Sequence, residues 1–194
     1  FLIDKEESQG RRWRYEWDDA GNLMCASLAN GDWVKFTYDP FGRRVAKITP
    51  RKATYWLWLG DVPLHEWSHA FSDLPSAAND EVEVSSEIQA LKQAIKRHND
   101  HAPAPPCELT EGELKKLITW HFEPGSMTLL AKQVGDKVFS VLCDHLNTPI
   151  RAFDPSGRLV WSVALDTCGG VRRHSGELDF IPFRFPGQYH DVET

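Results

Sequence analysis

The sequence predicts a mainly β fold made of repeated antiparallel β-hairpins and interrupted once by a helical insertion. Three observations predict it. A short unit, aromatic-Asp-x-x-Gly-polar, recurs along the chain. Strands of alternating apolar and polar residues flank that unit. Aromatic residues are dense, with 8 Trp, 10 Phe and 4 Tyr among 194 residues, and flat side chains of this kind pair across neighbouring strands.

The elements follow in order. Arg12–Trp17 alternates strictly and sets Trp13, Tyr15 and Trp17 on one face. Asp18-Asp19-Ala20-Gly21-Asn22 ends that strand: Asp starts the turn and Gly supplies a positive φ. Leu23–Leu28 is a second strand, and Asn30-Gly31-Asp32 is a hairpin turn. Trp33–Tyr38 alternates again, with Val34, Phe36 and Tyr38 opposite Trp33, Lys35 and Thr37. Asp39-Pro40-Phe41-Gly42-Arg43 turns the chain into Arg44–Ile48. Residues 54–67 read as two strands around Gly60-Asp61.

Residues 72–118 change character. Residues 86–98 carry a helical stripe of Ile88, Leu91 and Ile95, and a proline-rich run at 102–106 ends it. Thr110-x-x-Glu113 is a capping box that opens a second short helix reaching Leu117. Strands resume at Ile118–Phe122, 127–134, Lys137–Cys143 and 158–165. The expected organisation is a β segment over 1–71, a helical or low-order insertion over 72–118 and a second β segment over 119–194.

The repeat ties these pieces together. Trp17-Asp18-x-x-Gly21 and Tyr38-Asp39-x-x-Gly42-Arg43 place their aspartates 21 residues apart. The unit returns at Phe153-Asp154-x-x-Gly157-Arg158, with a worn copy at Leu165-Asp166-x-x-Gly169. A period near twenty residues describes a hairpin-sized unit that needs neighbours to bury its apolar face.

Bulk properties exclude some functions. The net charge of −6 disfavours nucleic acid as a partner, and Arg11-Arg12 and Arg172-Arg173 read as solvated faces. No apolar run has the length of a membrane span, and the first ten residues do not form a signal peptide. Cys25, Cys107, Cys143 and Cys168 are widely spaced, which fits reduced thiols without excluding a disulfide. The opening Phe1-Leu2-Ile3, without an initiating Met, suggests a piece of a longer polypeptide, as does the far end.

Several segments together resemble the C-terminal part of the core of Rhs (YD-repeat) proteins. They are the units around Tyr38-Asp39-x-x-Gly42-Arg43, then residues 60–67, residues 120–126 and 183–189, and Cys143-Asp144-His145-Leu146-Asn147-Thr148-Pro149. The last is similar to the family signature Asp-His-Leu-Gly-Thr-Pro, carried here by Asp144, His145, Leu146, Thr148 and Pro149, with Asn147 in the glycine position. Asn tolerates a left-handed backbone, so the turn is expected to survive. The resemblance spans nearly all of the chain except 72–118. It implies a length of YD-repeat β-shell, a cocoon enclosing a variable C-terminal toxin domain. It also implies synthesis in the bacterial cytoplasm and delivery by a type VI-like system. The implied partners are the remainder of the shell, the toxin, and secretion-tip or chaperone proteins. The family's autocleavage motif lies beyond these residues, so no catalytic aspartate is carried over, and neither enzymatic activity nor a cofactor is expected.

Two other classes of function compete. His65-Glu66-Trp67-Ser68-His69 matches the HExxH pattern of zinc peptidases, with Glu83 or Glu87 as a downstream ligand. That chemistry needs a helix, where residues four apart lie about 6 Å apart. In a strand the two histidines would stand about 13 Å apart, too far for one zinc. The flanking residues read as strand. Cys143, His145, Cys168 and His174 match no standard zinc spacing, and Cys143 with His145 as a nucleophile pair lacks an orienting acid. The third class is an interaction module using the Ile88/Leu91/Ile95 stripe, against which stands a helix that covers its own shell.

Overall fold

The computed structural model describes residues 2–6, 12–28, 31–71 and 109–191. The predicted helix at 86–98, its apolar stripe, Glu83, Glu87 and Cys107 lie outside the described residues. Thirteen strands are described, and hydrogen-bonded neighbours are always neighbours in the chain. The fold is mainly β, as the alternation predicts. The chain divides into two compact units: residues 1–54 with 69–106, and residues 55–68 with 107–194.

The first unit holds β1 (Asp4–Glu6), β2 (Arg12–Trp17), β3 (Leu23–Leu28), β4 (Trp33–Tyr38) and β5 (Arg44–Ile48). Every alternation read from the sequence has its physical counterpart here. Trp13 and Tyr15 are buried while Arg12, Arg14 and Glu16 are exposed. On β4, Val34 and Phe36 are buried. Register places Ala26 directly between Tyr15 and Val34, and Ala26 is fully buried. A methyl-sized residue there lets the larger neighbours close over it. Trp17, Leu23 and Tyr38 pack around this cluster.

β6 (Lys52–Leu59) and β7 (Val62–Ala70) each run from one unit into the other. The second unit continues with α1 (Glu111–Leu114), β8 (Ile118–Phe122), β9 (Leu129–Val134), β10 (Lys137–Cys143), β11 (Pro149–Phe153), β12 (Leu159–Leu165) and β13 (Val171–Ser175). The capping box forms: Thr110 Oγ1 accepts from the Glu113 backbone, and the Glu113 carboxylate accepts from the Thr110 N–H. The helix it opens is shorter than expected. It ends at Leu114, and Lys116 and Leu117 continue as i→i+3 turns, because one turn of helix without a buried residue gains no tertiary packing to extend it.

The core of the second unit is Trp120, Leu129, Ala152, Trp161, Val163, Ile181 and Phe183. Ala152 stands opposite Trp161, repeating the small-beside-large arrangement of Ala26. After β13 the chain makes a 3-10 turn at Leu178–Phe180 and then a small loop closed by a Phe183–Tyr189 bridge. This strap, residues 178–191, packs its aromatic rings edge-on against the sheet. Phe183 meets Trp120 at 5.0 Å and Phe122 at 5.6 Å, and Tyr189 meets Trp56 at 5.3 Å. Among the described residues no helix is long and apolar enough to cross a membrane, and Cys25, Cys143 and Cys168 are free thiols.

Candidate functional site

Five aspartates build one recurring corner. The N–H of Asp18, Asp39, Asp144 and Asp154 each donates at 2.9 Å to the carbonyl four residues on, and that of Asp166 at 2.8 Å. The residue three on donates back to the Asp carbonyl: Gly21, Gly42, Asn147, Gly157 and Gly169. All five of these have positive φ, from 64° at Asn147 to 88° at Gly21. This is the three-residue hairpin loop, a turn followed by a left-handed residue. The side chain completes it. Asp39 Oδ1 accepts the N–H groups of Phe41 and Arg43, both at 2.9 Å. Asp144 does the same for Leu146 and Thr148, Asp154 for Ser156 and Arg158, and Asp166 for Cys168 and Gly170. Asp18 holds both the backbone and the side-chain amide of Asn22.

Arginine adds a fork in two of the corners. Arg43 Nε lies 2.7 Å and Nη2 2.6 Å from Asp39 Oδ2. Arg158 makes the same pair with Asp154 at 3.1 and 3.0 Å. A bulge in the ladder falls one residue before every one of the five aspartates.

The Asp144 corner was not identified from sequence as a copy of the repeat. Cys143 replaces its aromatic and Asn147 its glycine, so only the hydrogen bonds expose the identity. His145 and Leu146 sit exposed at its tip, while Thr148 and Pro149 are buried. Because Asn147 already adopts φ 64°, Asn147→Gly is expected to change stability by less than about 1 kcal/mol, and Asn147→Val to cost about 1–2 kcal/mol. Thermal unfolding of the two variants checks this.

Charge follows the geometry. The Ser156 hydroxyl, then the Arg158 N–H, hold the Asp154 carboxyl at about 2. Asp18 is lowered by the Asn22 side chain and backbone. Burial pulls Asp39 upward, but the Arg43 bonds outweigh it and the net shift is down. Asp166 is lowered by the N–H groups of Cys168 and Gly170. A depressed carboxyl contributes its stability in full above the unfolded range near about 4 and loses it as pH falls through the folded value. Carboxyl carbon shifts should therefore titrate near pH 2 for Asp154, whose corner loosens between about pH 4 and 2.

The HEWSH segment lies in β7, a strand. Residues four apart there do not share the close spacing of a helical face, so the geometry the peptidase reading requires is absent. His65 Nδ1 lies 3.0 Å from Thr119 Oγ1 on the paired strand, and His69 packs edge-on to Phe71. Among the described residues no three His, Cys, Asp or Glu side chains cluster as metal ligands. Cys143 Sγ donates to the Leu129 carbonyl, His145 and Cys168 occupy turn tips, and His174 faces the Gly176 carbonyl.

Glu66 points the other way and is buried. Its Oε2 accepts both indole N–H groups of Trp56 and Trp120, each at 3.1 Å, and Oε1 accepts the Tyr189 hydroxyl at 3.0 Å. Lys132, also buried, stands 5.3 Å from the Trp120 ring centre and 4.2 Å from that of Phe180. Burial pushes the Glu66 carboxyl up, against the pull of its three donors and the Lys132 charge. Burial likewise lowers Lys132, opposed by Glu66 and Glu177. Sequence reasoning missed this knot. Its members lie 10, 54 and 123 residues from Glu66, and no local pattern joins them.

Comparison with known proteins follows the same lines. No family model matches the chain. It is 45% identical over 188 residues to "Probable deoxyribonuclease RhsB" of Dickeya dadantii (strain 3937), covering 94% of this chain and 10% of that protein. The corresponding RhsA of the same organism is 43% identical over the same shares. "Toxin protein Tse5" of Pseudomonas aeruginosa is 26% identical across the whole chain and 14% of its own length. The chain thus spans about a tenth of the curated relatives it matches. Crystal structures of TcdB2-TccC3 share the fold, with a TM-score of 0.56 at 12% identity over 93% of this chain and 8% of that one. The form without its hypervariable C-terminal region also gives 0.56.

Proposed function

The chain belongs to the Rhs family, and on that premise we propose that it is a length of structural wall in a shell that encloses a toxin domain. The observation that carries the proposal is the series of Asp corners joining strands that pair only with their chain neighbours. Such a chain extends a sheet one hairpin at a time. The wall's partners are the remainder of the shell and its enclosed toxin. The toxin chemistry belongs to other residues, and the names of the relatives point to toxins and nucleases. Synthesis in the bacterial cytoplasm, delivery by a type VI-like system and a role in competition between bacteria extend the same proposal.

The test uses the whole reading frame that contains these residues. With the wall intact, the toxin domain resists added protease. With the wall opened by Trp161→Ala, it is digested. A toxin equally resistant in both forms counts against the wall. Purified chain carrying stoichiometric zinc that is lost in His65→Ala would instead favour the peptidase class. Deletion of 72–118 tests the partner-binding class: secretion unaffected by the deletion removes it.

A further inference from the structure

The strap of the second unit is fastened by two buried charges from different strands. Lys132 on β9 donates to the Phe180 carbonyl at 2.7 Å, near the start of the strap. Glu66 on β7 accepts the Tyr189 hydroxyl at 3.0 Å, near its end. Glu66 is 8% exposed and Lys132 7%. Trp120 stands in contact with both, its indole N–H on Glu66 and its ring beneath the Lys132 ammonium. The strap also closes hydrogen bonds on itself: Arg184 N–H to the Gln188 carbonyl, Gln188 N–H to Phe185 and His190 N–H to Pro182. The Arg184 guanidinium adds a bond to the Ile181 carbonyl.

We propose that Glu66 and Lys132 act as one clasp, coupled through Trp120, which holds the strap shut over the aromatic core of the second unit. The strap is then an element that opens as a body when the clasp is broken. Both charges are positioning residues. Each is tolerated in an apolar interior because the other, with the aromatic donors, offsets its lost hydration. Removing one leaves the other buried and uncompensated, which costs more than removing both. The two substitutions are therefore non-additive, the signature of a shared network.

The test is amide hydrogen exchange on the full chain, comparing strap amides with those of β10–β12. Glu66→Gln and Lys132→Met are each expected to speed exchange in the strap at least tenfold while β10–β12 keep their protection. The double variant is expected to exchange no faster than the faster single one. Tyr189→Phe, which removes only the hydroxyl, is expected to speed exchange severalfold at the Tyr189 end. Strap protection unchanged in the single variants overturns the clasp. So does exchange that rises equally in β10–β12, which makes the knot ordinary core, or a double variant whose effects simply add. Where a charge variant does not fold, Tyr189→Phe decides, and an unchanged strap there overturns the proposal.

Discussion

Trp161→Ala is expected to destabilise the second unit by about 3–5 kcal/mol, the range for emptying a large aromatic site in a packed core. Trp161 is fully buried and lies across the ladder from Ala152, which is too small to fill the space. Its indole N–H has no partner among the described residues. The side chain therefore contributes through packing, while its polar atom works against it. That separates two substitutions. Trp161→Phe keeps most of the apolar volume and removes the unpaired donor, so it is expected to cost less than about 1.5 kcal/mol. Urea unfolding followed by far-UV circular dichroism measures both. A Phe variant as damaged as the Ala variant would show that the indole is held by something other than packing.

Gly176→Ala is the second large effect, and it acts through the backbone. Gly176 has φ +80°, and an added Cβ would collide with the Val160 carbonyl oxygen and lie 3.3 Å from Trp161 Cα. Both neighbours are main-chain atoms of β12, so neither can rotate away. Left-handed strain alone costs about 1–2 kcal/mol, and displacing β12 beside the buried Trp161 raises the total to about 3 kcal/mol. Gly157 is the control. Its φ is also +80°, but nothing lies within 4 Å of the position of a Cβ. Gly157→Ala should show the conformational cost only. The difference in unfolding midpoint between the two variants isolates the collision.

The parts of the fold written in local chemistry were legible in the sequence. The corners at Asp18, Asp39 and Asp154 each show an aspartate, a residue able to turn left-handed and a polar follower within five positions, and the Asp166 corner keeps the first two with Gly170 in the follower's place. The strands β2 and β4 declare themselves by alternation. Other strands hide for physical reasons. β13 is largely exposed and carries Arg172, Arg173 and His174 in succession, so it has no period. β11 opens on Pro149 and is only five residues long, and β1 is three exposed charged residues. The clasp was beyond sequence reasoning altogether. Glu66 drew notice as the acid of a peptidase pattern, yet its burial and its partners follow from tertiary pairing. What a carboxylate does depends on which groups the fold delivers to it.

Strands that pair with their chain neighbours also set a timetable for folding. Closing a three-residue corner spends little loop entropy, and hairpins form in about 1–10 μs. Within each run of corners, strand after strand can therefore be added as the polypeptide leaves the ribosome, whereas β8 pairs with β7 only after the residues between Ala70 and Ile118 have emerged. Tyr189 cannot follow that schedule, since its carboxylate acceptor lies 123 residues upstream. Its docking closes a far longer loop than a corner does and is expected to come late. Until then Trp120 lacks its edge-on contact with Phe183, and the apolar surface this leaves open makes the nascent chain prone to aggregation.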